Sequence, residues 1–471
     1  MRIRILGQYL HAPLAVLASI EALALAGALI AAAALRFGGR LELVPGRALW
    51  PRALVFGGVV VFCLFAFGLY SSRQRAPAFG IAVRVVAAIL TGLAVTSVIF
   101  YVLPELQLGR GVMGLAAALA VLVLVITRST FVRLIDDDIF KRSVLVYGCG
   151  ERALSISNLR RRADRRGFTV VGYARPDGEP CAVPAEQTFP VARLLDLCNQ
   201  HSVDEVVVAM DDRRRSFPIR ELLECRLSGI DVTELPSFLE RETGRVRVDV
   251  LNPSWMIFGE GFRRDPLRLF SSRVLDVLSS LLILILTLPV TLLVALAIKL
   301  EDGWHAPLLY HQLRLGFGGR EFEVLKFRSM HADAEPDGQA QWARRDDPRI
   351  TRVGAVIRKL RIDELPQILN VLAGHMSFVG PRPERPQFVA ELAQKIPYYV
   401  QRHCVKPGIT GWAQLCYPYG SSEQDALEKL QYDLYYIKNN TLLFDLANGH
   451  RAVWAFQDPF YQGALGVARP I

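Results

Sequence analysis

Two adjacent acids, Asp363 and Glu364, stand in VIRKLRIDELPQILNVLAGHMSFVGPRPE (356–384), with Arg358 and Arg361 before them and Arg382 and Arg385 soon after. Paired carboxylates among arginines suit a polyanion held with a hard cation, because oxygen ligands fit hard cations and guanidinium groups fit phosphate. Pro366 is best tolerated in a first helical turn, Gly374 is a natural stop after QILNVLA, and Asp363 is a favoured N-cap type. The spacing therefore predicts both acids at a helix N-terminus, where free N–H groups and the helix dipole also favour phosphate. A bare Asp-Glu pair could equally be an acidic first turn that only caps the helix. Clustering favours the chemical reading: Arg382 and Arg385 leave a backbone stiffened by prolines 381, 383 and 386, a poor setting for idle surface charge. Contact with lipid headgroups is the competing role for these arginines.

A second basic pair lies in GGREFEVLKFRSM. Gly316, Gly318 and Gly319 predict a hairpin after PLLYHQLRL. Alternate residues of the returning strand share a face, which groups Phe322 and Val324 with Lys326 and Arg328. Two cations continuing an apolar face need an anionic partner, and the acids or a diphosphate would serve. A change of register at a bulge would undo the grouping.

The chain that must position these groups has 471 residues, a net charge of +10 and a hydrophobic fraction of 52%, a balance that points to membrane segments. Residues 1–130 hold four apolar runs, near 12–35, 50–70, 80–103 and 111–127, each close to the roughly 20 residues that a bilayer requires. The first could pass for a signal peptide, but three more runs follow, which favours a retained anchor. With the N-terminus inside, Arg2, Arg4, Arg73, Arg75, Arg84, Arg128, Arg133, Lys141 and Arg142 fall on the cytoplasmic side, against Arg36, Arg40, Arg47, Arg52 and Arg110 opposite.

Residues 141–250 change texture. SVLVYG, FTVVGYA and VDEVVVAM read as buried strands and VARLLDLCNQ as a helix, an alternation that predicts a Rossmann-like parallel α/β domain. Gly148, Gly150 and Ala153 mimic a dinucleotide fingerprint. The third position is Ala and the acid at 177 sits in a Pro/Gly turn, so a tight packing turn is the expected reading. Residues 251–273 form a basic connector with four arginines against two acids, suited to an anionic leaflet. The apolar run 274–300 is long enough to span, but Pro289 interrupts it and both flanks are basic, so a helix that enters the membrane, breaks at Pro289 and returns is expected. Residues 301–471 would then lie on the same side as the α/β domain. Seven cysteines without a CxxC pair fit a reducing compartment rather than a disulfide or zinc framework. The basic and aromatic residues of 393–412, Tyr398, Tyr399 and Trp412 with Lys395, Arg402 and Lys406, form a mix suited to headgroup depth.

KFRSM, RIDELPQILNVLAGHMSFVGPRPE and RHCVKPGITGWAQ resemble the signature blocks of the bacterial sugar transferase family, the monotopic polyprenyl-phosphate phosphoglycosyl transferases. The resemblance covers most of residues 270–440. Four spans and a Rossmann-like insert make the whole similar to large members that initiate exopolysaccharide or O-antigen assembly, and LNPSWMIFGEGF is similar to a connector of the exosortase-associated branch. The fold implied is a four-helix transmembrane N-terminus, a Rossmann-like domain, and a re-entrant membrane helix leading into an α/β catalytic domain. The activity implied is transfer of sugar 1-phosphate from a UDP-sugar to undecaprenyl phosphate with Mg2+, releasing UMP through a phosphosugar–aspartate intermediate. Carried over by the resemblance, Asp363 is the nucleophile, Glu364 assists metal binding or proton handling, and Lys326, Arg358 and Arg382 contact phosphates. Arg328, Arg361 and Arg385 join that phosphate set by their clustering, and Asp433 matches a recurrent acid of accessory role. The resemblance further implies the bacterial inner membrane with soluble parts in the cytoplasm, contact with membrane lipids, a homodimer by analogy, and no nucleic acid partner. LLFDLANGHRAVWAF departs from the more uniformly apolar helix of relatives at Asn448, Gly449 and His450. A membrane-anchored nucleotide-sugar dehydratase or epimerase is the rival enzyme, but the Tyr-x-x-x-Lys pair it needs is absent from the sequence. A nucleotide-sensing scaffold is the non-enzymatic rival.

Overall fold

The computed structural model describes all residues except 1, 6–7, 41–48, 68, 71–77, 135–140, 160–163, 165–166, 177, 192, 213–216, 252, 259–260, 263–265, 332–348, 418–419, 421, 442–443 and 446–471, and gives backbone alone for 2–5, 8–15, 78–83, 132–134, 253–254 and 258. Arg73, Arg75, Arg263, Arg264 and the Asn448–His450 departure lie outside the described residues. The chain divides into two compact units, Met1–Asn252 and Pro253–Ile471.

The first unit opens with a short hairpin, β1 (Arg2–Ile5) and β2 (Gln8–His11), and then four apolar helices: α1 (Ala12–Arg36), α2 (Leu49–Ala66), α3 (Ala78–Val102) and α4 (Arg110–Leu134). All four contain stretches long and apolar enough to cross a membrane. One polar clasp joins them: buried Glu21 of α1 accepts from Arg128 Nε of α4 at 2.9 Å and from the Tyr70 hydroxyl. A buried charge is tolerable there because it is paired and hydrogen-bonded.

The α/β domain follows. Its strands are β3 (Arg142–Tyr147), β4 (Phe168–Arg175), β5 (Thr188–Pro190), β6 (Glu205–Val208) and β7 (Asp231–Glu234), all parallel in the order β5-β4-β3-β6-β7. The helices are α5 (Glu151–Ser157), α6 (Leu194–Gln200), α7 (Ile219–Leu227) and α8 (Leu235–Thr243). Reading outward from β3, this is the doubly wound order, whose ligand crevice opens where the winding reverses, between β3 and β6. The central strands are buried on both faces, so Val144, Leu145, Val146 and Val206, Val207, Val208 read as unbroken apolar runs.

The second unit begins with α9 (Pro253–Phe258) and the long α10 (Pro266–Asp302), which is helical throughout, Pro289 included. The expected unwinding at residues 287–289 is therefore absent. Thr287 instead bonds back to the Ile283 carbonyl at 2.7 Å, and such a back-bond next to a proline bends a helix without ending it. After α10 come a hairpin of β8 (Leu309–Leu315) and β9 (Glu321–Phe327), α11 (Arg352–Lys359), α12 (Gln367–Ala373), β10 (Ser377–Val379), α13 (Pro386–Lys395), β11 (Gly408–Thr410), α14 (Trp412–Cys416) and α15 (Glu423–Asn439). The hairpin turn places Gly318 and Gly319 at φ of 66° and 73°, which only glycine adopts cheaply, and the register is regular from Leu309↔Phe327 to Leu315↔Glu321.

Both flanks of α10 grip this unit. Arg273 donates to the Val371 and Leu372 carbonyls at 2.6 Å, supplying positive charge at the C-terminal end of α12. Val294 and Ile298 pack with Phe327 and Ile357, and Glu301 accepts from Arg352 N and Val353 N at the start of α11. Between the flanks Leu282, Ile285, Leu286, Leu292 and Leu293 are exposed. One expectation is corrected here: Tyr399, Arg402 and Trp412 do not line a headgroup surface but are buried in this unit, because Arg402 needs Asp433 at 2.9 Å and Trp412 stacks against Tyr435.

Candidate active site

Asp363 and Glu364 occupy a single 3-10 turn, Ile362–Glu364, between α11 and α12. Asp363 is not the N-cap of α12. That position belongs to Pro366, which has no side-chain bond to give, because the backbone turns one step earlier: Arg361 takes φ 58°, a conformation a non-glycine residue adopts at a cost. The turn ends α11 abruptly and buries both carboxylates, at 8% and 7% exposure.

Glu364 Oε1 accepts from Lys326 Nζ at 3.1 Å and Arg382 Nη2 at 3.0 Å, and Arg361 Nη1 stands 3.8 Å away. Burial alone would raise its pKa, but Arg382, Lys326 and Arg361 outweigh that and hold the carboxyl far below its usual range. Asp363 goes the other way. Burial and the neighbouring Glu364 charge raise it against the pull of Lys326, Arg361 and Arg358, and its buried Oδ1 has no hydrogen-bond partner. One carboxylate is thus locked among cations, while the next keeps a free, basic oxygen.

Lys326 reaches the dyad because α12 is bonded to β9 by Asn370: its Nδ2 donates to Glu323 O at 2.7 Å and its Oδ1 accepts from Leu325 N at 2.9 Å. Asn370 continues the strand's ladder with a side chain, and the sequence reading missed it. The other expected cations divide. Arg358, Arg361 and Arg382 gather round the dyad. Arg328 lies past the end of β9 and donates to the Met330 carbonyl at 3.1 Å, 4.0 Å from Asp302, so it does not share the dyad with Lys326. Arg385 is the N-cap of α13. Asp433 is buried in α15 and accepts from Arg402, which also donates to the Arg382 carbonyl.

The family model for "Bacterial sugar transferase" matches residues 267–457. A stretch of 180 residues is 42% identical to the exopolysaccharide production protein PSS of Rhizobium leguminosarum bv. phaseoli, covering 37% of this chain and 88% of that protein. The chain belongs to the bacterial sugar transferase family. Further relatives are longer than the matched part. The UDP-N-acetylgalactosamine-undecaprenyl-phosphate N-acetylgalactosaminephosphotransferase of Aeromonas hydrophila is 42% identical over 54% of this chain and 59% of its own length. The undecaprenyl-phosphate glucose phosphotransferase of Komagataeibacter xylinus is 34% identical over 65% of this chain and 57% of its own. The chain therefore spans somewhat over half the length of these two relatives.

This sugar transferase family member carries a second motif outside the matched region, the turn Gly148–Gly150 after β3. Gly148 takes φ 125°, and a Cβ there would lie 2.7 Å from Ala209 O, so the first glycine serves a close approach to the end of β6. The crevice itself is filled from within. Asp211 accepts from Glu151 N and Arg152 N at 2.9 Å, and a Cβ on Gly150 would fall 2.0 Å from its Oδ2. Glu179 accepts from Cys149 N at 3.1 Å and Asp211 N at 2.8 Å. Two of the chain's own carboxylates sit where a dinucleotide would bring pyrophosphate.

Proposed function

We propose that the chain transfers sugar 1-phosphate from a UDP-sugar to undecaprenyl phosphate, with Asp363 as nucleophile. The observation that carries this is the asymmetry of the dyad: a buried Asp363 oxygen without a partner, beside a Glu364 that gathers Lys326, Arg361 and Arg382. A carboxylate attacks a diphosphate only if the phosphate charge is offset, and three cations on one fixed carboxylate supply a preorganised positive wall. Asp363 forms a bond to the sugar-bearing phosphorus as the bridging P–O bond breaks, and UMP leaves with the electron pair. A phosphate oxygen of the lipid acceptor then attacks the same phosphorus and returns Asp363 as a carboxylate, leaving a lipid-linked diphosphate sugar.

Mg2+ fits the dyad unequally. Asp363 offers the unpartnered oxygen, whereas Glu364 Oε1 is already surrounded by cations. Among the described residues no cluster of three or more His, Cys, Asp or Glu side chains forms a complete cage, consistent with an ion held by one or two carboxylates plus substrate phosphates. Bound there, Mg2+ would supply charge neutralisation of the diphosphate.

The relatives above are named for UDP-N-acetylgalactosamine and glucose donors, which supports a UDP-linked hexose as donor class. For topology we infer a bacterial inner-membrane protein with both soluble parts in the cytoplasm and α10 as a re-entrant helix bent near Pro289. Its support is the grip of both α10 flanks on one unit and the apolar exposure between them.

The deciding assay combines purified protein, Mg2+, undecaprenyl phosphate and a panel of UDP-sugars, and measures UMP. The parent chain should release UMP with at least one donor. Asp363→Asn should lose about 1,000-fold or more with an unchanged melting temperature, since the side chain gives up no bond at Oδ1. Near-normal turnover in that variant would remove Asp363 from the nucleophile's role.

A further inference from the structure

The segment that delivers Arg382 to the dyad has no regular secondary structure between β10 and α13, yet its backbone is held at every step. The Pro381 carbonyl accepts from Gly408 N at 2.9 Å, Arg382 O from Arg402 Nη2 at 3.0 Å, Pro383 O from Arg314 Nη1 at 3.1 Å, and Glu384 O from Leu315 N at 3.0 Å. Four consecutive carbonyls thus take donors from three separate segments. Two of those donors are guanidinium groups, Arg402 buried and Arg314 half-buried, each fixed in turn from behind. Arg402 donates to Asp433 Oδ2 at 2.9 Å and the Tyr399 hydroxyl at 2.8 Å. Arg314 forks onto Gln312 Oε1 at 2.6 and 3.1 Å.

Taking a guanidinium out of water is costly, most so for the buried Arg402, and neither Arg314 nor Arg402 has a bond to Asp363 or Glu364. A fork with five donors can take a side-chain acceptor behind and a carbonyl in front at once, which a lysine cannot do in one plane. The prolines on either side of Arg382 carry no N–H, so this turn has fewer amides of its own to tie it down and relies on its carbonyls being held from outside.

We propose that Arg314 and Arg402 are positioning residues, which hold the 381–384 turn by its carbonyls so that the Arg382 guanidinium meets Glu364 and the substrate phosphates. The inference rests on the transferase reading for its activity readout and on the fold alone for its second readout. Arg314 and Arg402 act through Arg382, so their loss matters only while Arg382 is present.

A double-mutant cycle on kcat/KM tests this. Arg314→Met should lower it about tenfold or more in the parent background and about threefold or less in Arg382→Ala, because contacts that act through one group are non-additive. Equal losses in both backgrounds would overturn the proposal. Arg402→Met leaves Asp433 unpaired and threatens folding, so Arg402→Met with Asp433→Asn, which removes the charge pair together, serves as the second arm with the same expectation. Hydrogen exchange supplies the readout that needs no turnover. The amides of Gly380, bonded to Thr410 O, and Gly408, bonded to Pro381 O, should exchange faster in Arg314→Met, while those of α10 and of the α/β domain stay as in the parent. Unchanged exchange at Gly380 and Gly408 would overturn the proposal even if no UDP-sugar is turned over, an outcome that would by itself sink only the functional reading.

Discussion

Asp363 and Glu364 are neighbours in sequence, similarly buried, and displaced to opposite sides of the ordinary carboxylate range. Charge placement decides the difference: Glu364 has cations within bonding distance, and Asp363 has Glu364. A different balance governs Asp433. Burial pushes it up to about 6, with Arg402 pulling down, Glu384 adding to the rise and Lys429 opposing it. In an unfolded chain it would ionise near 4. Folding thus favours its protonated form, and the stability tied to it is complete below about pH 4 and lost as pH rises through about 6. Asparagine, neutral throughout, escapes that loss. Asp433→Asn should be costliest at about pH 4 and below, with its deficit against the parent shrinking as pH rises through about 6. Thermal denaturation of both proteins across that range measures it, and a deficit that widens with pH would show a net-favourable ion pair instead. At this scale the sequence made the dyad, Lys326, Arg358, Arg361 and Arg382 legible, because acids and cations cluster within short windows. Asn370, Arg314 and Arg402 were not, since what they hold is a backbone 20 to 69 residues away, and Arg328 was misplaced because strand alternation was extended one residue past the strand's end.

The β3–α5 turn shows how an element with a familiar pattern can be put to another use. Gly148-Cys149-Gly150 has the spacing and the strand-to-helix setting of a phosphate-binding turn, but Asp211 arrives from the end of β6 to take the two free N–H groups of α5. It acts as an N-cap supplied from across the crevice, since Gly150 has no side chain to do so. Asp211→Ala should therefore cost about 1–2 kcal/mol, the usual value of a lost cap, read as a lower melting temperature of the full chain with transferase turnover unchanged. Millimolar NAD+ should leave the parent's melting temperature where it is. A rise of several degrees would show that Asp211 yields the crevice to a ligand. The sequence alone supported a packing turn there, on the weakness of its third glycine and second-strand acid. It could not name the occupant, which lies 60 residues on. The edge strands β5 and β7 escaped for a related reason: three and four residues long, and polar at several positions, they carry too little pattern to stand out from loop.

The topology proposed above rests on α10. About 37 Å of straight helix would separate Arg273 from Ile298. Yet Arg273 binds the carbonyls that close α12, and Ile298 belongs to a cluster that includes Leu365, just before α12 begins. The short α12, only about 10 Å long, supports the bent α10 proposed above, and the exposed leucines and isoleucines between its flanks call for an apolar cover. A bent helix that dips into one leaflet satisfies both conditions, whereas a full crossing would pull one flank away from its partners and cost the Arg273 cap or the Ile298 packing. On the proposed topology Cys181 and Cys404 face one compartment, and they are ready reporters: Cys181 in the α/β domain and Cys404 in the second unit are exposed, while Cys63, Cys149, Cys198 and Cys225 are buried. A membrane-impermeant maleimide should modify neither Cys181 nor Cys404 in intact cells and both in inverted vesicles, read by peptide mass. Modification of one thiol from each side would mean that α10 crosses, and the acceptor's phosphate would then have to be met on the face opposite to the α/β domain.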